Sequence, residues 1–320
     1  MYSYHAFNLT ISSEFPLTGL KRVEEPADVV VRLQNLSDID PNVLDPQQAI
    51  WGKLPGIGLF LINNGREIAI DPEGIDALQL APSILGPAMS VILRQRGCLV
   101  LHASCVAVEA DTVETDCEQP YEQQTTAIAF LGASGSGKST FAKAFHAQGY
   151  KVLTDDVMAI SFEQGYPSVI PSFPQCKLTT QAATALGLKQ DHLPVLLTHA
   201  DKLSYVFQDG FQETPLPLRQ IYVLAQGAHH QIMSLSCQDA FAELVRHTRA
   251  VNIMTAPGQV TTHLRQCTDL LKAVRVSQLI RRPALAELTA LINLVRADRS
   301  APDPQKLIAQ PPPETPCFFT

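Results

Sequence analysis

The chain carries a single tryptophan in 320 residues. It has no C-x-x-C pair, no long apolar run and no extended block of Lys and Arg. Each absence removes a class of protein. The seven cysteines (98, 105, 117, 176, 237, 267 and 317) are scattered and odd in number, so neither a disulfide framework nor a cysteine-based zinc site is expected. They read as reduced thiols, and no partner marks any of them as a nucleophile. No stretch is apolar for long enough to span a bilayer. Met1-Tyr2-Ser3-Tyr4-His5 lacks the basic start and apolar run of a secretory leader, so a cytoplasmic location is expected. The formal net charge is -7, and the densest basic patch, Arg281-Arg282, is too short for a nucleic-acid footprint. No internal repeat is visible.

What is present is the composition of a globular chain, 46% hydrophobic. Residues 1–80 read as a small β-rich module. Strands are expected at 4–11, 28–33 and 58–63, and Asn63-Asn64-Gly65 signals a hairpin into 66–70. Trp51, in the proline-bearing connection between 38 and 55, is expected to anchor a core. A helix is expected over 81–96, with Pro87 as a late start or a kink and Gly97 just past its end. A strand at 98–108 and a polar, acidic loop at 109–126 follow. Strands at 216–225 and 231–233 are expected to pair around Gln226-Gly227. Helices are expected at 179–187, 237–249, 261–274 and 284–297, and a last strand at 276–280. The main domain is placed at 81–298, and a proline-rich, disordered tail at 299–320.

The chemistry is announced by Gly132-Ala133-Ser134-Gly135-Ser136-Gly137-Lys138-Ser139-Thr140, which fits G-x-x-x-x-G-K-[ST] at every fixed position. An apolar run, 127–131, precedes it as a strand, and 140–148 follows with helical spacing of Phe141, Ala144 and Phe145. Glycines let the backbone curl so that successive N–H groups face a phosphate tail. The helix start adds unpaired N–H groups and a positive dipole end. Lys138 suits the β- and γ-phosphates, and the Ser139 hydroxyl suits Mg²⁺.

Asp155-Asp156 ends an apolar strand shortly after the P-loop helix, where folds of this kind place a carboxylate facing the phosphates. Neighbours on an extended segment point opposite ways. One carboxylate is then free to face the γ-phosphate and an incoming hydroxyl while the other reaches toward Mg²⁺. His102 gains interest because its strand precedes the P-loop strand and suits an antiparallel neighbour of it.

Leu101-His102-Ala103-Ser104, the P-loop, and Gly149-Tyr150-Lys151-Val152-Leu153-Thr154-Asp155-Asp156, in this order, resemble the kinase domain of HPr kinase/phosphorylase and the looser group of HPr-kinase-like proteins. Some of that group phosphorylate a serine of a precursor peptide. The resemblance covers roughly 95–295. It implies an α/β fold: a P-loop kinase core of the HPr kinase/PEP carboxykinase-like type with a mixed sheet, beside the small, mostly β N-terminal module. It also implies ATP and Mg²⁺ as cofactors and a serine-type hydroxyl of a protein or peptide as acceptor. Asp155 would take the proton from that serine, with His102 beside it. Asp156 and Ser139 would stand on the magnesium side, and Lys138 with residues 132–140 would hold the nucleotide. A homo-oligomer is suggested. The chain departs from the family in three ways. The arginine-containing signature near the family's C-terminus is not recognisable, and Arg246 and Arg249 on the 237–249 helix are weak substitutes for it. The segment 171–178 has no acid where the family carries a metal-side glutamate, and offers Lys177 instead. The first 95 residues do not resemble the family's regulatory domain. Two other readings stay open: a kinase acting on a small metabolite, and a nucleotide-binding switch without catalysis, although no N-K-x-D motif supports a switch.

Overall fold

The computed structural model describes residues 1–109, 125–188, 202–251, 254, 256 and 258–300. The acidic loop expected at 109–126 lies almost wholly outside the described residues, as do residues 301–320.

The first 72 residues build a six-stranded sheet of their own. Its strands are β1 (Tyr2–Ala6), β2 (Leu9–Ser13), β3 (Val29–Leu33), β4 (Ala49–Leu54), β5 (Gly58–Asn63) and β6 (Glu67–Pro72), in the order β1-β2-β3-β6-β5-β4. Strand β5 alternates buried and half-buried residues along its length, so Phe60 and Ile62 turn into the core. The expected β5–β6 hairpin is present, with Asn63 opposite Glu67. Its turn places both Asn64 (φ 51°) and Gly65 (φ 63°) in the left-handed region, which Asn and Gly tolerate. Trp51 departs from expectation. It lies half-buried on β4, the edge strand, where the sheet has no further neighbour to cover it.

The segment 81–95 is helical in three pieces: α1 (Ala81–Ser83), a π turn at Ile84–Ala88 that contains Pro87, and α2 (Met89–Gln95). Proline cannot donate an N–H to the helical ladder, and the wider turn accommodates the missing bond. The α2 side chains Met89, Ile92 and Leu93 pack into one core with Phe7, Ile11, Ile68 and Ile70 of the first sheet, and with Val100, Val157 and Phe173 from the rest of the chain. A bond from Phe7 N–H to the Ser172 carbonyl (3.0 Å) and an edge-on Phe7–Phe173 pair tie the two parts together.

The larger sheet is nine-stranded and mixed. Its members are β7 (Leu99–Leu101), β8 (Ala103–Val108), β9 (Thr126–Leu131), β10 (Val152–Thr154), β11 (Met158–Ser161), β12 (Ser168–Ile170), β15 (Leu216–Gln226), β16 (Gln231–Ser234) and β17 (Arg275–Arg281). A separate pair is formed by β13 (Gln175–Thr179) and β14 (Lys202–Val206). The path runs β10-β8-β9-β15-β12-β11-β7, with β17 beside β15 and β16 beside β17. Strand β9 is buried at every position, as a strand covered on both faces must be. Helices α3 (Lys138–Ala147), α4 (Thr180–Ala185), α5 (Cys237–Arg246), α6 (Gln259–Ala273) and α7 (Leu288–Ser300) complete the mixed α/β architecture.

Three expectations need correction. The strands at 216–225 and 231–233 do not pair, because β17 returns between them. Strand β17, mostly buried, takes the place beside β15 and leaves the largely exposed β16 at the edge. The expected strand over 98–108 breaks at His102. Its first part pairs with β11 and its second with β9, so the chain steps between two regions of the sheet at that residue. Residues 299 and 300, expected in a disordered tail, are still part of α7.

Helix α3 is held against the sheet by aromatic contacts. Phe130 of β9 lies 5.2 Å from Phe141, 5.4 Å from Phe145 and 6.0 Å from Tyr222, ring centre to ring centre. Such pairs add about 0.5–1.5 kcal/mol each beyond their area burial. They fix the loop that joins β9 to α3. No helix among the described residues is long and apolar enough to cross a membrane.

Candidate functional site

Strand direction concentrates the site at one edge of the larger sheet. Strands β15 and β9 are parallel, as are β15 and β17, so their C-terminal ends lie together. These ends carry the 132–137 loop, Gln226 and Arg281. Strand β8 is antiparallel to β9, with Ala103 opposite Leu131, so its beginning, next to His102, reaches the same edge. Strand β10 is antiparallel to β8 and brings its C-terminal end, followed by Asp155 and Asp156, there as well. Open α/β sheets collect ligands at the carboxyl ends of their strands. The residues singled out from sequence therefore converge.

The loop itself is a strand–loop–helix passage. Gly137 precedes α3 in the left-handed region (φ 97°), and Lys138 is the first helical residue. The Lys138 ammonium is buried and donates to the carbonyls of Gly132 (2.7 Å) and Ala133 (3.0 Å), bracing the loop. Burial pushes its pKa down to about 8, against the pull of Asp155 and Asp156. Arg281 reaches across from β17 and donates to the Ser136 carbonyl (2.5 Å). Its Nε and the Ser136 hydroxyl are buried without a hydrogen-bond partner among the described residues. A Cβ at Gly137 would lie 2.6 Å from Arg281 Nη2. Gly137→Ala is therefore expected to cost about 1–2 kcal/mol in the left-handed backbone alone and to displace Arg281. A thermal melt checks the first effect, and a nucleotide-affinity loss of roughly tenfold, from 1.4 kcal/mol per decade, checks the second.

The two aspartates separate sharply. Asp155 is buried, and its carboxylate accepts from Ser104 Oγ (2.5 Å) and from the Lys177 backbone N–H (2.9 Å). Burial raises its pKa; the hydroxyls of Ser104 and Ser139 and the Lys177 amide oppose that rise, while the neighbouring Asp156 charge adds to it. Asp155 and the P-loop serine Ser139 line the same cavity. Asp156 is not on extended backbone: its φ is 74°, in the left-handed region. This turn swings its side chain toward Lys177 Nζ (2.8 Å), the Arg249 guanidinium and His102 Nδ1 (3.6 Å). Burial pushes the Asp156 carboxyl up, but Lys177, Arg249 and His102 more than offset this and hold it well below the usual carboxylate range.

His102 is neutral. Burial, then the Arg249 and Lys138 charges, lower its pKa to about 3 in spite of Asp156. Its backbone N–H is fixed by the His247 carbonyl (2.7 Å). A group that titrates near 3 contributes nothing to a pH profile above 5. The activity of His102→Asn relative to the native protein is therefore expected to be constant from pH 5.5 to 8. A ratio that changes near pH 6.5 would show that His102 titrates in its ordinary range.

Two connected cavities open here. One, of about 260 Å³, is lined by Ser134, Gly135, Lys138, Ser139, Asp155 and Arg281, among others. The other, of about 590 Å³, shares His102, Ser134, Asp156, Lys177 and Lys202 with the first and adds Arg249. Gly137, Thr140 and both aspartates line the first cavity as well, while Gly132 and Ala133 lie beneath as acceptors for Lys138.

Ser104 and Arg281 have no role in the sequence pattern, and Arg249 enters there only as a weak substitute for the family's arginine signature. Arg249 was expected on a helix beside Arg246. In the structure α5 ends at Arg246, which is exposed and pairs with Glu243, and Arg249 lies in the turn beyond. There the Arg249 N–H binds the Val100 carbonyl (2.8 Å), and its side chain also reaches the Asp156 carbonyl oxygen (3.2 Å). Arg281 had a legible signal, an arginine closing a strand that runs parallel to the P-loop strand. Arg249 was legible only as a weak stand-in for the family's arginine signature, on a helix that ends before it.

Mg²⁺ with a nucleotide usually retains waters and phosphate oxygens and takes only one or two protein ligands. No cluster of three or more His, Cys, Asp and Glu that could hold a metal is found among the described residues. The buried Asp155 carboxylate beside the Ser139 hydroxyl nevertheless fits that modest demand.

No family model matches the sequence, and no curated protein matches it. Among solved structures the chain is similar to the HPr(Ser) kinase/phosphatase from Coxiella burnetii, at 10% identity and a TM-score of 0.31, over 62% of this chain and 90% of that one.

Proposed function

We propose that the chain is an ATP- and Mg²⁺-dependent kinase that transfers the γ-phosphate to a serine-type hydroxyl of a protein or peptide. The observation that carries this reading is the meeting of the Lys138 loop and the Asp155–Asp156 pair at one edge of the sheet. Phosphoryl transfer asks the protein mainly for position and charge. The 132–140 loop and Lys138 match the phosphates, and Arg281 braces the loop from the opposite strand. Ser139 and Asp155 are the residues that would hold Mg²⁺, which screens the phosphate charge when bound.

Asp156 faces the larger cavity beside neutral His102, and we assign it the acceptor proton. The accepting oxygen forms a bond to the γ-phosphorus. The bond to the bridging oxygen breaks, and its electron pair leaves on ADP. The hydroxyl proton goes to Asp156, which its cations keep ionised; they also lower its basicity, so the proton passes late, as the bond to the γ-phosphorus forms. This assignment exchanges the two aspartate roles that the family resemblance implies. It rests on Asp155 lining the Ser139 cavity and not the larger one, and on the contact of Asp156 with His102.

The test is transfer from γ-labelled ATP with Mg²⁺ in the presence of size-fractionated cell extract, with Asp156→Asn alongside. Label is expected in a discrete acceptor and absent with the variant. Free phosphate alone, in both, would refute the kinase reading.

A further inference from the structure

The larger cavity has a wall that the transfer chemistry does not require. Its near side is the site: His102, Asp156, Lys177, Lys202 and Arg249. Its far side comes from the N-terminal sheet and the segment that follows, including Leu54, Pro55, Ile57, Ile75 and Gln79. The 54–57 turn is held by Ile57 N–H to the Leu54 carbonyl (3.0 Å) and by Glu73 N–H to the Ile57 carbonyl (3.0 Å). An apolar wall thus stands opposite a charged one, across a space of about 590 Å³. That volume falls within the range of small-ligand sites, roughly 300–1,000 Å³.

The charges do not balance. Three cations line the cavity against one carboxylate, Asp156, which Lys177 and Arg249 already share. His102 is neutral. Lys202 is held by its backbone opposite Thr179 and pairs with no carboxylate among the described residues. The nearest acids of the far side are engaged elsewhere: Glu73 with Lys53 (2.5 Å), and Asp76 with the Leu78 N–H (2.9 Å). Neither lines the cavity. Lys177 and Lys202 line both cavities, and the nucleotide side has Lys138 and Arg281 besides; Lys202, at the boundary, and Arg249, on the larger cavity alone, are therefore placed to receive a second anion.

We infer that this cavity is the acceptor subsite, that the N-terminal β unit builds its far wall, and that the acceptor carries an anionic group beside its hydroxyl, received by Lys202 and Arg249. The inference rests on the kinase reading and deepens it. The anion can belong to a small hydroxy acid or to an acidic residue flanking a serine, and the experiment separates the two.

The full chain, with Mg²⁺ and a non-hydrolysable ATP analogue, is titrated calorimetrically with two pairs of probes. One pair is glycerate and glycerol. The other is a serine-centred pentapeptide flanked by Glu and the same peptide flanked by Lys. An anionic probe is expected to bind at least about tenfold more tightly than its counterpart. Preference confined to glycerate identifies the small-molecule source; preference confined to the Glu peptide identifies the peptide source. Gln79→Glu changes no volume but adds an anion to the far wall. It is expected to weaken the anionic probe by roughly three- to tenfold, with affinity for the ATP analogue as the internal control. Lys202→Gln is expected to reduce the same preference. Absence of binding by every probe, equal binding within each pair, or an unchanged preference in Gln79→Glu overturns the inference. Label transfer is measured separately: if anion preference persists while labelled ATP yields only free phosphate and no labelled acceptor, the kinase reading falls and the anion subsite stands.

Discussion

Lys138→Ala is expected to lose turnover by at least about 10³-fold, the scale of removing a principal cation from a phosphoryl-transfer site. The side chain serves twice. Its ammonium braces the Gly132 and Ala133 carbonyls, and it is the cation at the start of α3. Removing it leaves two carbonyls unpaired and takes away the charge that matches the phosphates. Nucleotide affinity falls with turnover, because the same charge acts in the ground state. Calorimetric titration with ATP and Mg²⁺, beside a labelled-transfer assay, reads both quantities. A thermal melt shows whether the variant is folded, and Lys138→Arg keeps the charge while changing its shape. Retained transfer in folded Lys138→Ala would remove the loop from the mechanism.

Asp156→Asn has the second large effect, and its sign on binding is opposite. Transfer is expected to fall by about 10²- to 10⁴-fold, the usual contribution of a positioned base. Affinity for ATP is expected to hold or to rise. The substitution leaves Lys177 and Arg249 without their shared anion, so the site becomes more positive beside the phosphates. Asp155→Asn is the companion measurement. It loses a carboxylate buried against Ser104 and the Lys177 N–H, so it is expected to raise the Mg²⁺ concentration needed for half-maximal transfer and to lower stability. If instead Asp155→Asn abolishes transfer with an unchanged Mg²⁺ requirement, while Asp156→Asn transfers at the native rate, the two roles stand as the family resemblance implies.

Lys177 has a definite structural place between the two aspartates. It binds Asp156 by its side chain and Asp155 by its backbone N–H. A cation and an amide from β13 thus hold the two aspartates in their separate orientations.

Local pattern determined a good deal. Gly132–Thr140 was legible because a phosphate-binding loop needs glycines, a lysine and a hydroxyl at fixed spacing, and those requirements are local. The strand ending at Asp155-Asp156, the Asn64-Gly65 turn and the apolar strands were legible because periodicity and turn chemistry also act over a few residues. Tertiary structure decided what depended on distant partners. It put β17 between β15 and β16, where Val276 and Leu279 are buried, and left β16 at the edge rather than paired with its sequence neighbour β15. It turned Asp156 out of the extended conformation toward Arg249, 93 residues later in the chain. It brought the β4–β5 turn, far from the loop in sequence, to the opposite side of the cavity. Spacing along a chain specifies which way a strand or helix faces. Which residues meet across a cavity follows only when the strands have been ordered and their directions fixed.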